Sequence, residues 1–401
     1  MPDSSQHHFR GLGRIFISCG EISGDRQAGF LARQIYRQNP EVLLYGCGGE
    51  AMRAAGVDVR IDTARFGYVG LQESIRFRRP MRKAHEEIQR ILLEQRPDLV
   101  VLVDGEHFNR SLMPFLHREG IPFVYYFVPQ VWFWGRWRTG GIARRARLII
   151  PAFAPEADIF RRKGGRVEWF GHPFVDVIEP GSCESELREG EHPTIGLMPG
   201  SRWQEVENFT PRLLAAAREL HRRRPELRFI LPLAGPHLRP LIERELAGAG
   251  LSDIVELLER DVYDRLGRCE LVLLASGTAT LETTLLGVPM VVVYEVKPLT
   301  FFVARRLVSS RFIAMPNILL NEAVVPELIQ SDFTVERVVA EAWRLLEDAS
   351  HAGRMRQKLA RVRTLLGRPG VIEGAATAIL REAGLPGCPA PVEELLELSA
   401  V

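Results

Sequence analysis

The stretch Leu271-Val-Leu-Leu-Ala-Ser-Gly-Thr-Ala-Thr-Leu-Glu282 predicts a strand, a turn and a helix, and its continuation Pro289-Met-Val-Val-Val-Tyr294 predicts a second strand. Both apolar runs have the length of buried strands, and small residues between them mark the turn. Strand–turn–helix–strand units build parallel sheets that are buried on both faces. The sequence therefore predicts an α/β fold with doubly wound parallel sheets.

The turn Ser276-Gly277-Thr278 has the features of an anion site. Small residues at a helix start leave backbone N–H groups facing outward, which favours a phosphate or diphosphate. Glu282 follows about one helical turn later, and a carboxylate there could accept hydrogen bonds from the two hydroxyls of a ribose. An ordinary helix cap with a solvated Glu282 is the alternative.

The composition is ordinary for a globular protein of two or three domains. The chain has 401 residues, 46% hydrophobic and 25% charged, with a net charge of +2. No run of about 18 apolar residues occurs, so we expect no spanning helix. The polar segment 1–13 lacks the apolar core of a secretory signal. The five cysteines are scattered without metal-ligand spacing, which indicates reduced thiols.

Two α/β series divide the chain, with a polar linker at about 179–191 that contains Pro and Gly. We predict an N-terminal Rossmann-like domain over 1–178 and a second over 192–365. Amphipathic patterns at about 335–366 and 371–383 predict helices that could cross back onto the first half. We assign the segment 366–401 to C-terminal helices that pack back on the N-terminal domain.

Carboxylates follow the first predicted strand. The strand Arg14–Ser18 opens into Cys19-Gly-Glu-Ile-Ser-Gly-Asp25. Glu21 and Asp25 in this loop would repel a pyrophosphate, so the loop is better suited to sugar hydroxyls. Capping of the following helix by Ser23 and Asp25 is the alternative.

A second acidic loop follows the buried strand Asp98–Val103, with the sequence Asp104-Gly-Glu-His-Phe-Asn109. Catalytic groups in open α/β sheets gather at the carboxyl ends of strands. Asp104 is therefore a candidate general base, with Glu106 and His107 close by in sequence. A purely structural aspartate is the alternative.

The second half begins with another phosphate-binding pattern. The strand Thr194–Met198 runs into Pro199-Gly-Ser-Arg202 and a helix over about 205–224. Arg202 could neutralise a diphosphate while the amides of Gly200 and Ser201 hold its oxygens.

Two stretches, Phe66–Lys83 and Trp132–Arg138, combine aromatic and apolar residues with arginines. Such combinations suit a membrane interface or an amphiphilic, phosphorylated substrate. The alternatives are a packed helix with a solvated basic end for the first and inter-domain packing for the second. The residues predicted to contact acceptor or membrane are Phe66, Tyr68, Leu71, Ile75, Trp132, Trp134 and Arg136.

Several strings occur in a fixed order from Ile15 to about Thr334. They are Gly20-Glu-Ile-Ser-Gly-Asp25, Pro199-Gly-Ser-Arg-Trp-Gln-Glu-Val206, Ala275-Ser-Gly-Thr-Ala-Thr-Leu-Glu282, Lys297-Pro-Leu-Thr-Phe-Phe302, Leu307-Val308, Pro316-Asn-Ile-Leu319 and Val325-Pro-Glu-Leu-Ile-Gln330. As an ordered set they resemble the lipid-A-disaccharide synthase family. The resemblance implies a GT-B glycosyltransferase with two Rossmann-like domains facing a cleft.

The resemblance also implies the reaction and the residues that perform it. The family joins UDP-2,3-diacylglucosamine to 2,3-diacylglucosamine 1-phosphate (lipid X) and releases UDP, with inversion at the anomeric carbon. By analogy Asp104 is the general base, while Glu21 and Asp25 face the sugars. The residues expected to hold UDP are Gly200, Ser201, Arg202, Ser276, Gly277, Thr278, Glu282 and Asn317.

The expected partners follow from the same resemblance. No metal or other cofactor is expected, because Arg202 and helix N-termini would offset the charge on the departing diphosphate. The expected location is the cytoplasm, at the cytoplasmic face of an anionic inner membrane. A homodimer is possible, and no nucleic acid is expected.

The chain departs from the family pattern in the acceptor half. After the aspartate that matches Asp104 the family usually has Ala-Pro-Asp-Phe-Asn, whereas this chain has Gly105-Glu-His-Phe-Asn109. A member with a different lipid substrate, or a paralogue without turnover, is therefore an alternative. Another UDP-sugar enzyme, such as an epimerase or a lipid-intermediate transferase, is a further one.

Overall fold

The computed structural model describes residues 13–63, 74–132, 135–180, 192–297 and 310–387. The chain divides into two compact units. The first lies within Met1–Asp176 and Leu366–Glu394, and the second within Val177–Leu365. Within the described ranges, every helix is too short or too polar to span a bilayer.

The first unit alternates strands and helices along the chain. Its elements are β1 (Arg14–Cys19), α1 (Ile22–Gln38), β2 (Leu43–Gly48), α2 (Glu50–Ala54), β3 (Asp58–Asp62), α3 (Ser74–Gln95), β4 (Leu99–Val103), α4 (Glu106–Arg118), β5 (Phe123–Tyr126), α5 (Thr139–Arg145), β6 (Leu148–Ile150), α6 (Ala154–Arg162) and α7 (Phe174–Val177), whose last residue falls in the second unit.

The sheet of the first unit is parallel, in the order β3-β2-β1-β4-β5-β6. Successive side chains of β1 point to opposite faces, as in any strand. Ile15 packs in the same core layer as Leu31 of α1, whereas Phe16 packs in the opposite layer with Leu112 of α4. Because both faces are covered, the central strand β4 is apolar and buried throughout.

The last described helix, α15, completes the first unit. The remaining helices before it are α13 (Val335–Glu347) and α14 (Ala349–Leu365), and α15 spans Val371–Glu382. Ile379 of α15 lies in the core layer of α1, and buried Glu382 accepts hydrogen bonds from Arg147 and Arg166 at 3.0 Å each. The prediction that the segment 335–366 crosses back is wrong, because α13 and α14 pack within the second unit.

The second unit repeats the alternation. Its other elements are β7 (Thr194–Met198), α8 (Trp203–Arg223), β8 (Arg228–Pro232), α9 (Arg239–Ala249), β9 (Val255–Leu258), α10 (Val262–Gly267), β10 (Leu271–Ala275), α11 (Thr278–Leu286), β11 (Met290–Tyr294), α12 (Met315–Leu320) and β12 (Glu327–Ile329). Its sheet is also parallel, in the order β12-β11-β10-β7-β8-β9.

The two sheets have the same topology. Counted within each unit, both follow the order 3-2-1-4-5-6, which is that of the Rossmann fold. The predicted α/β class with doubly wound parallel sheets is therefore confirmed. The order reverses between β1 and β4 in the first unit and between β7 and β10 in the second. Ligands of open α/β sheets bind at such switch points, beyond the carboxyl ends of the strands.

A buried histidine lies near the carboxyl end of β5. His172 is 1% exposed, and the rings of Phe127, Phe153 and Phe174 surround it at centroid distances of 5.3, 5.2 and 4.8 Å. Its Nδ1 accepts the backbone N–H of Phe174 at 3.2 Å. Burial lowers the pKa of His172 to about 3, so the imidazole is neutral in the folded protein at neutral pH.

We expect acid to destabilise the first unit through His172. In the unfolded chain the imidazole binds a proton near its ordinary pKa of about 6.5, whereas in the folded chain it does so only near pH 3. The unfolded state binds more protons between these values, so stability falls as the pH falls below about 6.5. From about pH 7.5 to 5.5, the wild type should lose about 1.4 kcal/mol more unfolding free energy than His172→Asn, measured by urea unfolding.

The exposed His117 provides the control for this measurement. Its ring meets water in both states, so His117→Asn should follow the wild type across the same pH range. Equal losses in the wild type and in His172→Asn would show that His172 does not contribute.

Candidate functional site

Asp104 lies at the switch point of the first sheet. It follows β4 directly, and the neighbouring strand β1 ends in register with it, since Cys19 pairs with Val103. The backbone of Asp104 is left-handed, with φ of +48°. That conformation is uncommon for residues other than glycine and is a frequent feature of functional sites.

The carboxylate of Asp104 contacts the first turn of α1. Ser23 Oγ donates to Asp104 Oδ2 at 2.9 Å, and Asp104 is half-buried. Gly24 makes this approach possible, because a Cβ atom there would lie 3.2 Å from the Cβ of Asp104. Glu21, the residue before α1, is also half-buried at this edge of the sheet. The structure thus places Asp104 and Glu21 at the carboxyl ends of the neighbouring strands β4 and β1.

Asp25 has a structural role that the sequence did not reveal. It is 4% exposed, and its carboxylate accepts the N–H groups of Gly49 at 2.7 Å, Ala51 at 2.8 Å and Met52 at 3.3 Å. Burial raises the pKa of Asp25, and these three hydrogen bonds oppose the rise. The carboxylate therefore caps α2 instead of facing a sugar. The alternative, that Ser23 and Asp25 cap α1, is also wrong, since α1 has no side-chain cap.

The start of α11 lies at the switch point of the second sheet. Gly277 and Thr278 are exposed there, and the first N–H groups of a helix have no partner within it. Ser276 is held on both sides: its N–H donates to the Val293 carbonyl at 3.0 Å and its hydroxyl to the Ile313 carbonyl at 2.9 Å. The arrangement presents a fixed helix N-terminus suited to an anion.

Glu282 is buried on the same helix. It is 6% exposed and accepts the phenol hydroxyl of Tyr263 at 2.7 Å. The alternative of a solvated Glu282 is therefore wrong. A buried carboxylate already oriented by one hydroxyl is suited to accept others, as the ribose prediction requires.

The loop before α8 contains its own anion. The carboxylate of Glu205 accepts the N–H groups of Ser201 at 3.3 Å and Arg202 at 3.4 Å, and the Arg202 guanidinium at 3.0 Å. A Cβ at Gly200 would lie 2.5 Å from the same carboxylate. The predicted phosphate position at Gly200 and Ser201 is thus occupied by Glu205 in this structure. The side chain of Arg202 is 53% exposed and is accessible to a ligand.

Asn317 is committed to the protein itself. Its Nδ2 donates to the Val325 carbonyl at 2.9 Å and to Glu327 at 2.8 Å, while its Oδ1 accepts the N–H groups of Val324 and Val325. With 1% exposure it fixes the loop 317–327 instead of contacting UDP directly. Glu327, which the sequence did not single out, also accepts the N–H of Ala314 at 2.9 Å.

The aromatic–arginine stretches are described only in part. Phe66, Tyr68, Leu71 and Trp134 lie outside the described residues, and the side chains of Ile75 and Arg136 are likewise not described. Trp132 is half-buried and packs on Phe153, with a centroid distance of 5.7 Å. It lines a cavity of about 320 Å³ at the start of α6, together with Pro155, Ile159 and Arg162.

Comparison with known proteins identifies similar sequences over nearly the whole chain. A family model described as lipid-A-disaccharide synthetase matches residues 15–380. The lipid-A-disaccharide synthase of Geobacter metallireducens is 38% identical over 380 residues, covering 92% of this chain and 97% of its own.

Solved structures share the fold at low sequence identity. The UDP-GlcNAc 2-epimerase of Neisseria meningitidis, solved with UDP-GlcNAc, has a TM-score of 0.60 at 12% identity and covers 92% of this chain and 99% of its own. The kitacinnamycin glycosyltransferase has a TM-score of 0.61 at 16% identity and covers 94% and 100%. These likenesses confirm the predicted GT-B fold class and, at such identity, nothing beyond the fold.

The capping role of Asp25 predicts a loss of stability when its carboxylate is removed. Asp25→Ala leaves three N–H groups at the start of α2 without this acceptor, which we expect to lower the unfolding free energy by about 2 kcal/mol. Urea unfolding measures this loss. Asp58→Ala, an exposed aspartate of β3, should change stability by less than about 0.5 kcal/mol. An Asp25→Ala protein as stable as the wild type would exclude the capping role.

Proposed function

The chain belongs to the lipid-A-disaccharide synthetase family, and we propose from that membership that it is an inverting hexosyltransferase of lipid A assembly. It joins UDP-2,3-diacylglucosamine to 2,3-diacylglucosamine 1-phosphate, lipid X, and yields the lipid A disaccharide 1-phosphate and UDP. The family match over residues 15–380 is the observation that carries the proposal.

In this proposal the first unit supplies the general base. The Asp104 carboxylate takes the proton from the acceptor hydroxyl, whose oxygen bonds to the anomeric carbon of the donor. The bond from that carbon to the diphosphate breaks, and its electron pair leaves with UDP. The position of Asp104 beyond the carboxyl end of β4 and its contact with Ser23 support this role. Glu21, at the same edge, is assigned to sugar hydroxyls.

The second unit holds UDP in this proposal. The exposed start of α11, at Gly277 and Thr278, binds the diphosphate through its N–H groups, and Glu282 binds the ribose. Arg202 turns from Glu205 to the diphosphate and offsets the charge that develops as the bond breaks. Since a guanidinium and a helix N-terminus supply this charge, the proposal includes no metal ion.

We further propose that the protein works at the cytoplasmic face of the inner membrane, because both sugar substrates carry acyl chains. Trp137 supports this placement: its indole is 66% exposed, with the Arg138 guanidinium 5.2 Å from its ring. An exposed tryptophan favours the headgroup region of a membrane, whereas Arg138 is 9% exposed and packs beside the ring. A homodimer remains part of the proposal without a surface assigned to it.

Experiments on the purified protein test both the reaction and the roles of Asp104 and Arg202. Purified protein with both lipid substrates in mixed micelles should release UDP and form the disaccharide, followed by mass spectrometry. Asp104→Asn should lower kcat by about 100-fold or more, because its amide cannot accept the proton, and should leave UDP affinity unchanged. Arg202→Ala should weaken UDP binding by about 10- to 100-fold, measured by calorimetry.

Each variant has a matched control on the same element. Asp98, exposed at the opposite end of β4, accepts the Arg14 N–H at 2.7 Å, and Asp98→Asn should keep full turnover. Arg222 pairs with Glu219 on α8 as Arg202 pairs with Glu205, and Arg222→Ala should bind UDP as the wild type does. UDP binding without disaccharide would contradict the proposed reaction and indicate a different acceptor or a protein without turnover.

The proposed membrane contact predicts that the loss of Trp137 weakens binding to lipid vesicles. Trp137→Ala should bind vesicles containing anionic lipid several-fold more weakly than the wild type in a sedimentation assay, because the exposed indole is lost. Trp203→Ala, which removes a 41% exposed indole from the second unit, is the matched control. Equal binding of all three proteins would exclude the surface around Trp137 as the contact.

A further inference from the structure

We propose that Asn109 is the positioning residue that holds Asp104 in its working conformation. The inference rests on the proposed function, because it takes Asp104 as the general base. Asn109 lies in the first turn of α4 and is completely buried. Its Nδ2 donates to the carbonyl oxygens of Ser18 at 3.1 Å, Val103 at 3.0 Å and Asp104 at 2.9 Å.

These three carbonyl groups define the switch point of the first sheet. Ser18 belongs to β1, Val103 is the last residue of β4, and Asp104 is the residue that leaves the sheet. The side-chain amide of Asn109 therefore links β1 and β4, the neighbouring strands between which the strand order reverses. It also links both strands to Asp104, the first residue beyond β4. The amide has two N–H groups for these three acceptors, so one N–H is shared between two of the carbonyl oxygens.

The orientation of the Asn109 amide is fixed from the other side. Its Oδ1 accepts the hydroxyl of Ser18 at 2.7 Å, and the Ser18 oxygen accepts the thiol of Cys47 at 3.3 Å. Burial raises the pKa of Cys47 to about 11, so the thiol keeps its proton and remains a donor. Reversing the amide would set Oδ1 against three carbonyl oxygens. The chain of hydrogen bonds thus permits one orientation.

Every backbone polar group of Asp104 is engaged in this arrangement. Its carbonyl accepts Tyr125 Oη–H at 3.1 Å in addition to Asn109, and its N–H points to the carbonyl oxygens of Tyr126 and Phe127 at 3.3 and 3.2 Å. The left-handed φ of +48° persists under these constraints and directs the carboxylate to Ser23. Without Asn109, the carbonyl loses one of its two donors and the link to β1, and the backbone can relax to a commoner conformation.

A purely structural role for Asn109 makes different predictions. If Asn109 only fills space or joins β1 to β4, its removal lowers stability and leaves turnover per folded molecule unchanged. If it positions Asp104, turnover falls while the affinities for substrates hold, because the base is displaced but the binding groups are not.

The experiment compares Asn109→Ala and Asn109→Asp with the wild type in the disaccharide assay. Both variants should lower kcat by about 10- to 100-fold and change the acceptor KM and UDP affinity by less than about two-fold. Aspartate has the shape of asparagine but, when ionised, cannot donate to the three carbonyl groups. A wild-type kcat for Asn109→Asp would therefore show that shape alone is required and would overturn the proposal.

Gln38→Ala is the matched control for stability. Gln38 is another buried amide of the first unit, and it donates to the Glu373 carbonyl at 3.1 Å, at the end of α1 that lies away from Asp104. It should lower the melting temperature and leave kcat unchanged. An Asn109→Ala protein that behaves in the same way would overturn the positioning role.

The design separates this inference from the proposed function. If the wild type forms no disaccharide, the proposed function fails, and the crystal structure of Asn109→Ala tests the positioning directly. A φ of Asp104 that stays near +48° would overturn the inference. If the wild type is active and Asp104→Asn is not, but Asn109→Ala keeps its kcat, the inference alone fails.

Discussion

The left-handed backbone of Asp104 is the constraint on which the first unit's site depends. This conformation costs an aspartate about 1 kcal/mol or more relative to the common regions. The hydrogen bonds from Asn109 and Tyr125 to its carbonyl contribute about 1 kcal/mol each, so together they offset the cost. The strand β4 must end here, because an extended residue 104 would continue the sheet and carry its carboxylate into a core layer. Gly105, itself left-handed with φ of +56°, completes the change of direction into α4.

The two units use one topology for different chemistry. Each places a loop at the point where its strand order reverses, yet the loop after β4 presents a carboxylate and the loop after β10 presents helix N–H groups. The difference follows from what precedes each helix. A left-handed Asp–Gly pair directs a side chain outward, whereas Ser276 and Gly277 keep the helix start open. In the proposed function, the first unit removes a proton and the second holds an anion, although their topology is the same.

Apolar runs predicted the fully buried strands well and missed two strands that are only partly buried. The predicted strand at 290–294 coincides with β11, and the one at 98–103 differs from β4 by a single residue. The sequence did not predict β3 and β12, each of which lies at one edge of its sheet. Their residues are only partly buried, so they lack a continuous apolar run. A continuous apolar run indicates burial on both faces, and β3 and β12 have less of that burial.

The sequence indicated which residues lie near the site loops, but it did not indicate which groups their side chains contact. Asp25 and Asn317 are polar residues close to the predicted site loops. Their hydrogen-bond partners are backbone groups of other segments, which the fold places beside them. No local pattern reveals such a partner. Glu205 is different, because a glutamate three residues after the start of a helix is a capping signal. The phosphate-binding prediction overlooked that signal, which would have revealed the pairing of Glu205 with the Ser201 and Arg202 amides.

The departure from the family pattern in the acceptor half lies in the loop that follows Asp104. The chain differs from the usual Ala-Pro-Asp-Phe-Asn at residues 105–107, and it keeps Phe108 and Asn109. Phe108 is 3% exposed, and a Cβ at Gly20 would lie 2.5 Å from it, so it packs the start of α4 against the end of β1. Asn109 then holds Asp104. Because Asp104, Phe108 and Asn109 are retained, the contacts of Asp104 are compatible with its proposed role as the general base, and this supports a change in the acceptor over a loss of turnover.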